Sequence, residues 1–220
     1  MRSETRTKPP TEDRLKVFSA FTGIGGFELG IQRACAAKGL PEPVIVGYSE
    51  IDKYAISVYE NNFKGVKNYG DITKIKGEEL PDFDCFVAGF PCQSFSQAGR
   101  RGGFEDARGA LFFDIVRILR AKRPGLLVLE NVKGLLSHDA GRTFKTIIAA
   151  LAELGYSLEW QVLNSQDFGT AQHRERVIII GHLGESGFWQ IFPFGVTPET
   201  SSRASAERNT EKSPGGHLYP

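Results

Sequence analysis

A cysteine follows a proline directly after an apolar segment, at a point where the sequence turns polar. Residues 83–90 are mostly apolar, Pro91 and Cys92 follow them, and three of the next four residues are polar. Loops of this kind often carry chemistry, and the thiolate form of cysteine is a strong nucleophile where positive charge lies nearby. The pattern indicates that Cys92 is a candidate nucleophile. Cys35 and Cys85 lie inside helical and strand patterns and are predicted to be small buried packing residues.

An acid and two arginines stand at the ends of two further apolar segments. Glu130 ends the apolar run at residues 126–129, where partial burial favours a neutral acid that can donate a proton. Arg174 and Arg176 precede the apolar run at residues 177–181, and alternate positions of an extended chain point the same way. The simpler alternatives are a helix-capping or surface acid and a solvated run of charges.

A glycine-rich turn follows the first apolar segment, and two acids follow later ones. Residues 21–26 read Phe-Thr-Gly-Ile-Gly-Gly, and glycines here let the backbone approach a ligand closely. The dinucleotide-binding pattern needs a third glycine where this chain has Glu28, which disfavours a pyrophosphate ligand. Glu50 stands where a carboxylate can accept hydrogen bonds from ribose hydroxyls, and Asp71 follows the next glycine. The sequence therefore favours an adenosine-type cofactor over tight turns with solvent-facing acids.

Short apolar runs alternate with helical patterns along the chain. We predict strands at residues 15–21, 43–48, 83–90, 126–130, 157–163 and 177–181, and helices at residues 27–37, 53–61, 110–122 and 142–154. This alternation is typical of an α/β fold with a doubly wound, mostly parallel sheet covered on both faces. Ligands of such sheets bind beyond the carboxyl ends of the strands, so we expect the candidate residues to meet at one edge.

Composition is typical of one globular domain, with 40% hydrophobic residues in 220 and a formal net charge of +1. We predict a catalytic domain at residues 15–194, a disordered leader at 1–14 and a disordered tail or linker at 195–220. No signal sequence, membrane span, disulfide framework or metal site is indicated, which favours the cytoplasm. The low charge implies that any grip on nucleic acid is local or lies on another chain.

Together these motifs resemble the bacterial and phage DNA cytosine-C5 methyltransferase family. The resemblance covers residues 15–181 and rests on five motifs in the family's order: Phe-Thr-Gly-Ile-Gly-Gly, Gly-Asp-Ile, Gly-Phe-Pro-Cys-Gln-Ser-Phe-Ser, Glu-Asn-Val and Gln-His-Arg-Glu-Arg. It implies a Rossmann-like methyltransferase fold, S-adenosyl-L-methionine as the cofactor and double-stranded DNA as the substrate, in a restriction-modification or phage protection system.

The resemblance also assigns a cofactor-binding set. Phe21 would stack on the adenine and Glu50 would bind the ribose, while Ile51 replaces the aromatic residue of many relatives. Asp71 would contact the adenine, and Leu111 would lie near the methionine part. The full set is Phe21, Gly23, Ile24, Gly25, Gly26, Glu50, Ile51, Asp71, Ile72, Pro91 and Leu111.

The catalytic roles follow in the same way. The Cys92 thiolate would add to C6 of a cytosine flipped out of the duplex, and Glu130 would hold and protonate N3. Arg176 would hold O2 of the base, with Arg174 nearby. C5 then accepts the methyl group, and loss of its proton expels the thiolate. A glycine- and arginine-rich segment at residues 99–103 has the composition of a hinged lid.

Family members continue beyond the arginine motif with a target-recognition region, and nothing after residue 181 resembles it. Three expectations compete: one subunit of a split enzyme whose partner recognises the target, a truncated product or fragment, or a decayed non-catalytic protein that binds only cofactor or partner. A tRNA cytosine-C5 methyltransferase is the alternative within the enzyme class, because that branch shares the chemistry.

Overall fold

The structure is a computed structural model that describes residues 14–91, 110–184 and 215–218. The described strands form one sheet in the order β2-β1-β3-β4-β6-β5-β7. The strands are β1 (Lys16–Ala20), β2 (Val44–Ser49), β3 (Cys85–Gly89), β4 (Leu126–Val132), β5 (Tyr156–Asn164), β6 (Glu175–Leu183) and β7 (Gly215–Leu218). The six predicted strands are confirmed, and each predicted end lies within two residues of the observed one.

The sheet is parallel through one half and antiparallel through the other. Strands β2, β1, β3 and β4 pair in parallel, whereas β6 lies antiparallel to both β4 and β5, and β7 lies antiparallel to β5. Five strands therefore share one direction, and β6 and β7 run against them. The predicted mostly parallel sheet is present, with an antiparallel half that the alternation of patterns does not reveal.

Helices cover both faces of the sheet, as predicted. They are α1 (Gly26–Ala37), α2 (Lys53–Asn62), α3 (Ala110–Lys122) and α4 (Arg142–Glu153). None of the helices within the described ranges is long and apolar enough to cross a membrane.

Period-two alternation along the strands divides the core between the two faces. On β1, Phe18 points into the large cluster formed with α3 and α4, while Val17 packs with Phe27 and Ile31 of α1 on the opposite face. Full burial of a side chain such as Phe18 contributes about 1.5–3 kcal/mol relative to leaving it exposed. Packing on both faces of the sheet thus fixes the positions of the strand ends.

Helix α2 packs against the outer strand through aromatic rings. Tyr59 stacks on Tyr48 of β2 with ring centroids 4.0 Å apart, and Phe63 lies 4.7 Å beyond Tyr59. Asp52 caps this helix by accepting hydrogen bonds from the amides of Tyr54 and Ala55. The segment just after β2 is therefore anchored by a helix start.

Strand β7 lies within the segment predicted to be a disordered tail or linker at residues 195–220. Its residues, Gly215 to Leu218, pair with Gln161 to Leu158 of β5 at the edge of the sheet. The remainder of that tail, and residues 1–13, lie outside the described residues.

Candidate active site

The carboxyl edge of the parallel strands gathers the candidate residues. Strands β1, β3 and β4 end there side by side, and Gly89 of β3 lies opposite Glu130 of β4. Strand β6 runs the other way, so it begins at this edge, where Arg176 pairs with Val132. The antiparallel direction of β6 is therefore what brings the arginine motif to the acid.

Glu130 and Arg176 form an ion pair at this edge. The Arg176 Nε donates to Glu130 Oε1 at 2.8 Å, and both side chains are 23% exposed. Arg174 Nη2 lies 3.9 Å from the same oxygen. The other carboxylate oxygen, Oε2, lies 3.3 Å from the point where a Cβ on Gly89 would stand. A partly exposed carboxylate between a guanidinium and a glycine can present a hydrogen-bonding edge to a planar ligand.

The chain that leads to Cys92 begins beside this ion pair. The buried Asn131 donates from Nδ2 to the Phe90 carbonyl at 2.9 Å, and its Oδ1 accepts from the Val132 amide at 2.9 Å. Asn131 therefore fastens the end of β3 to the end of β4, two residues before Cys92. Cys92 itself lies outside the described residues, as do Arg100, Arg101, Arg108 and the glycine-rich segment at 99–103.

The other two cysteines are packing residues, as predicted. Cys35 and Cys85 are buried and free of disulfides. Burial raises the pKa of the Cys85 thiol to about 12, so this thiol stays neutral near pH 7. No group of three potential metal ligands occurs within the described part of the chain.

The glycine turn holds a backbone shape that ordinary residues adopt at a cost. Phe21 has φ +51°, and Gly23 and Gly25 have φ +58° and +94°. A Cβ on Gly25 would stand 2.3 Å from the Phe63 ring of α2. A phenylalanine held in the left-handed region is rare and is favoured only where surrounding structure enforces it. The strain lies at the residue predicted to stack on an adenine.

Glu50 joins this turn to the end of β2. Its Oε2 accepts from the Gly23 amide at 2.8 Å, and its Oε1 accepts from the amides of Ile51 and Asp52 at 2.8 and 2.9 Å. Each carboxylate oxygen has two lone pairs, so the three amides leave acceptor capacity for one hydroxyl group, on Oε2. The predicted ribose-binding carboxylate is thus held rigidly by three backbone amides.

The third predicted element, Asp71 and Ile72, is held from two sides. Asp71 caps a short 3-10 helix, and hydrogen bonds from the Thr73 hydroxyl and amide lower the pKa of its carboxyl group. The Ile72 side chain is buried in the main core, so only its backbone can face a ligand. Arg117 of α3 donates to the carbonyls of Ile72 and Ile75.

Asn68 links the second and third elements. Its Oδ1 accepts from the amides of Glu50 and Gly70, and its Nδ2 donates to the Glu50 carbonyl at 3.1 Å. The Ser49 hydroxyl adds a hydrogen bond to the Gly70 carbonyl at 2.6 Å. The carboxylates of Glu50 and Asp71 are thereby kept in fixed relation to each other.

Two large apolar side chains next to the amides that bind Glu50 are exposed. Ile24 follows Gly23 on the glycine turn and is 62% exposed, and Ile51, whose own amide donates to Glu50, is 73% exposed. Pro91 is exposed, and Leu111 packs partly buried at the start of α3 against the main core. Exposed apolar side chains and a hydrogen-bonding carboxylate on neighbouring residues are compatible with a ligand that carries a flat heterocycle on a sugar.

Comparison with known proteins agrees with this geometry. The model of the C-5 cytosine-specific DNA methylase family matches residues 15–213. The chain belongs to this family. The matched range extends past the catalytic domain predicted to end at residue 194.

Several curated relatives of this methylase chain are type II methyltransferases. It is 49% identical over 168 residues to M1.ScrFI of Lactococcus lactis subsp. cremoris, covering 76% of the chain and 41% of that protein. It is 48% identical over 187 residues to M.HaeII of Haemophilus aegyptius, covering 85% and 56%. The chain thus spans about half the length of the curated relatives it matches.

Solved structures share the fold of the methylase chain. A DNA modification methyltransferase encoded within an Escherichia coli prophage, described as putative, has a TM-score of 0.61 at 25% identity, covering 77% of this chain and 47% of that one. Dnmt2 of S. pombe has a TM-score of 0.63 at 23% identity, covering 81% and 52%. The second likeness, at its low identity, concerns the fold alone.

Several residues that shape the methylase site were not predicted. Asn68, Asn131 and Arg117 act through hydrogen bonds to backbone groups that are distant in sequence or across a turn. Asn131 lies inside the Glu-Asn-Val motif and Asn68 lies two residues before Gly70, and these positions beside motif residues are the only signals that the sequence offers. Arg117 has none, since it lies in an ordinary helical pattern.

Proposed function

We propose that this chain is the catalytic and cofactor-binding part of a DNA cytosine-C5 methyltransferase. It would transfer a methyl group from S-adenosyl-L-methionine to C5 of a cytosine in double-stranded DNA. The observation that carries the proposal is the Glu130–Arg176 pair, with Oε1 and Nε 2.8 Å apart, at the strand edge where β3 ends three residues before Cys92.

The pair is suited to a cytosine ring turned out of the duplex. Cytosine presents O2 and N3 on one edge, so a guanidinium beside a carboxyl group matches both atoms. Glu130 would hold and protonate N3, and Arg176 would hold O2. Proton donation at N3 makes C6 electrophilic, and Cys92 is proposed to add there. Asn131, through the Phe90 carbonyl, would fix the backbone two residues before Cys92.

The cofactor side fits S-adenosyl-L-methionine. When bound, this cofactor supplies an electrophilic methyl group on a sulfonium. Glu50 would accept a hydrogen bond from a ribose hydroxyl, Ile24 and Ile51 would cover apolar faces, and Asp71 would contact the adenine. Phe21, with its strained backbone, would present its ring to the same base.

The relatives favour DNA over tRNA as the substrate. The proteins at 48–49% identity are type II methyltransferases, and the chain has the Gly-Phe-Pro-Cys sequence at residues 89–92. The proposed setting is a restriction-modification system in the cytoplasm. The chain spans about half the length of those relatives. We therefore propose that the target sequence is recognised by a region outside the described residues, which can also lie on a second subunit.

A covalent trap tests the function. DNA containing 5-fluorocytosine is incubated with the chain, a target-recognition region and S-adenosyl-L-methionine. Fluorine cannot leave C5 as a cation, so the adduct with Cys92 persists and shifts the protein band in a denaturing gel. We expect Cys92→Ser to abolish the adduct and Cys35→Ala, at the buried packing cysteine, to preserve it. An adduct that survives Cys92→Ser, or an adduct with tRNA but not with DNA, would overturn the proposal.

A further inference from the structure

A group of buried polar side chains lies beneath the glycine turn, and the proposed mechanism uses none of them. Glu28, Ser19 and Tyr59 are fully buried and Thr22 is 7% exposed. The Tyr59 hydroxyl donates to Glu28 Oε1 at 3.2 Å, and the Thr22 hydroxyl donates to the Ser19 hydroxyl at 3.0 Å. We call these four residues the sub-turn cluster.

The cluster joins three elements that carry the proposed cofactor residues. Ser19 belongs to β1, which leads into the turn; Glu28 lies in the first turn of α1, which leaves it. Tyr59 belongs to α2, whose start follows Glu50 and Ile51. The Phe63 ring, on the same face of α2, contacts Gly25 so closely that a Cβ there would stand 2.3 Å away.

We propose that Glu28 is a positioning residue which, through its buried hydrogen bond with Tyr59, holds the glycine turn against helix α2 and so sets the affinity of the cofactor site. This inference rests on the proposed function. Its effect would reach the cofactor through Gly23, whose amide is bonded to Glu50 Oε2, and through the backbone of Phe21.

The neutral form of Glu28 would do this work. Among the described residues no cation pairs with Glu28, and its Oε2 is buried without a hydrogen-bond partner. Burial raises the pKa of Glu28 more than a backbone hydrogen bond and the hydrogen bonds of Ser19 and Tyr59 lower it. Within the described ranges, the one other titratable group against this carboxyl group is Tyr59, and burial raises the pKa of its hydroxyl as well, so Tyr59 remains a donor.

If Glu28 is neutral, substitutions at this position should differ clearly in their effect on cofactor binding. Glutamine keeps the shape of a protonated glutamic acid and keeps both a donor and an acceptor. Alanine leaves a cavity and strands the Tyr59 hydroxyl without an acceptor, and leaving a buried donor unsatisfied is destabilising. Tyr59→Phe removes the donor while preserving the ring contacts with Tyr48 and Phe63.

The test is a calorimetric titration of the full 220-residue chain with S-adenosylhomocysteine. We expect Glu28→Gln to bind within about twofold of the natural chain, and Glu28→Ala and Tyr59→Phe to bind about tenfold or more weakly, from the loss of one buried hydrogen bond. Tyr156→Phe is the matched control. It removes another buried tyrosine hydroxyl, bonded to the Pro124 carbonyl at 2.8 Å far from the turn, and should lower the melting temperature without changing the affinity.

The outcomes separate the claims. If Glu28→Ala fails to fold, Tyr59→Phe still decides the question, because its packing is retained. Unchanged affinity in Tyr59→Phe, or equal weakening by Tyr156→Phe, means that the cluster serves stability alone and overturns the proposal. If Glu28→Gln weakens the binding of S-adenosylhomocysteine as much as Tyr59→Phe does, the claim that Glu28 acts in its neutral form is overturned. Failure of the natural chain to bind S-adenosylhomocysteine would refute the proposed cofactor, and the positioning role with it.

Discussion

Two acids of this chain, Glu130 and Glu28, show how surroundings give one side-chain type different tasks. Glu130 is partly exposed and paired with Arg176, where a ligand can reach it. Glu28 is fully buried and meets a tyrosine hydroxyl. Glu130 follows an apolar run and Glu28 follows the glycine turn, and the partner supplied by a distant strand or helix separates their roles.

At Glu130 we expect the substitution Glu130→Gln to slow adduct formation with 5-fluorocytosine DNA by about a hundredfold or more. The amide keeps the contact with Arg176 but cannot give a proton to N3, and general acid catalysis is worth about 10²–10⁴ in rate. Single-turnover trapping measures the rate. Glu175→Gln is the control, because Glu175 is the neighbouring acid and pairs with Lys133 at 3.0 Å instead. Equal slowing by both variants would remove Glu130 from the chemistry.

At Glu28 we expect a pH signature in stability. The pKa of this carboxyl group is raised by burial above its ordinary value of 4.5. Above that value the unfolded chain has lost the proton that the folded chain still holds. The free energy of unfolding therefore falls as pH rises, until the folded-state pKa is passed. Glu28→Gln has no such proton. Its free energy of unfolding, relative to that of the natural chain, should therefore increase as pH rises from about 4 to 7.

Urea denaturation across this pH range measures the difference. The carboxyl groups of Asp71, Asp82 and Asp139, whose pKa values are lowered by hydrogen bonds, are present in both chains and cancel in the comparison. Parallel stability curves for the two chains would show that Glu28 is not held in its neutral form.

At the scale of elements, helix α3 reaches across to the turn that carries Asp71. Arg117 bonds to the carbonyls of Ile72 and Ile75 and to Asp114 Oδ1 at 2.7 Å. A guanidinium that bridges two carbonyls fixes the backbone that follows Asp71. The helix therefore shapes the proposed adenine contact without touching it.

We expect Arg117→Leu to weaken S-adenosylhomocysteine binding several-fold while leaving the helix intact. Leucine keeps the helix propensity of arginine but frees the two carbonyls, so the turn samples other conformations before ligand binds. Arg120→Leu, at an exposed position of the same helix, is the control and should bind normally. Titration calorimetry compares the two, and equal affinities would show that the turn holds its shape without Arg117.

Sequence patterns predict where the strands and helices of this fold lie better than they predict which elements and residues contact each other. The strands around Phe18 and Phe86 are found because apolar runs of strand length are bounded by polar turns. The direction of β6 is not found, since a short apolar run reads the same in either direction. The bonds of Asn131 to Phe90 and of Tyr59 to Glu28 span 41 and 31 residues, and no local pattern encodes such distances.

For the whole molecule, the architecture favours cofactor binding, whereas the low net charge disfavours tight binding of DNA. The described sheet carries a nearly complete set of proposed cofactor residues on connected, buried supports. The chain as a whole has a formal net charge of only +1, and non-specific affinity for DNA grows with the number of phosphates that cations neutralise. The candidate phosphate contacts, Arg100, Arg101 and Arg108, are partly offset by Glu105 and Asp106.

We therefore expect the 220-residue chain on its own to bind S-adenosylhomocysteine measurably and to give little or no sequence-specific methylation. Extrusion of a base costs a few kcal/mol, and contacts on both sides of the duplex must offset it, whereas this chain covers only 41% and 56% of two relatives. Tritium transfer from labelled S-adenosylmethionine to mixed-sequence DNA measures the activity, with a target-recognition region added in a parallel reaction. Activity should appear in the reaction that contains the target-recognition region, and Cys92→Ser should abolish it there. Robust site-specific turnover by the chain alone would show that these 220 residues already hold both sides of the cleft.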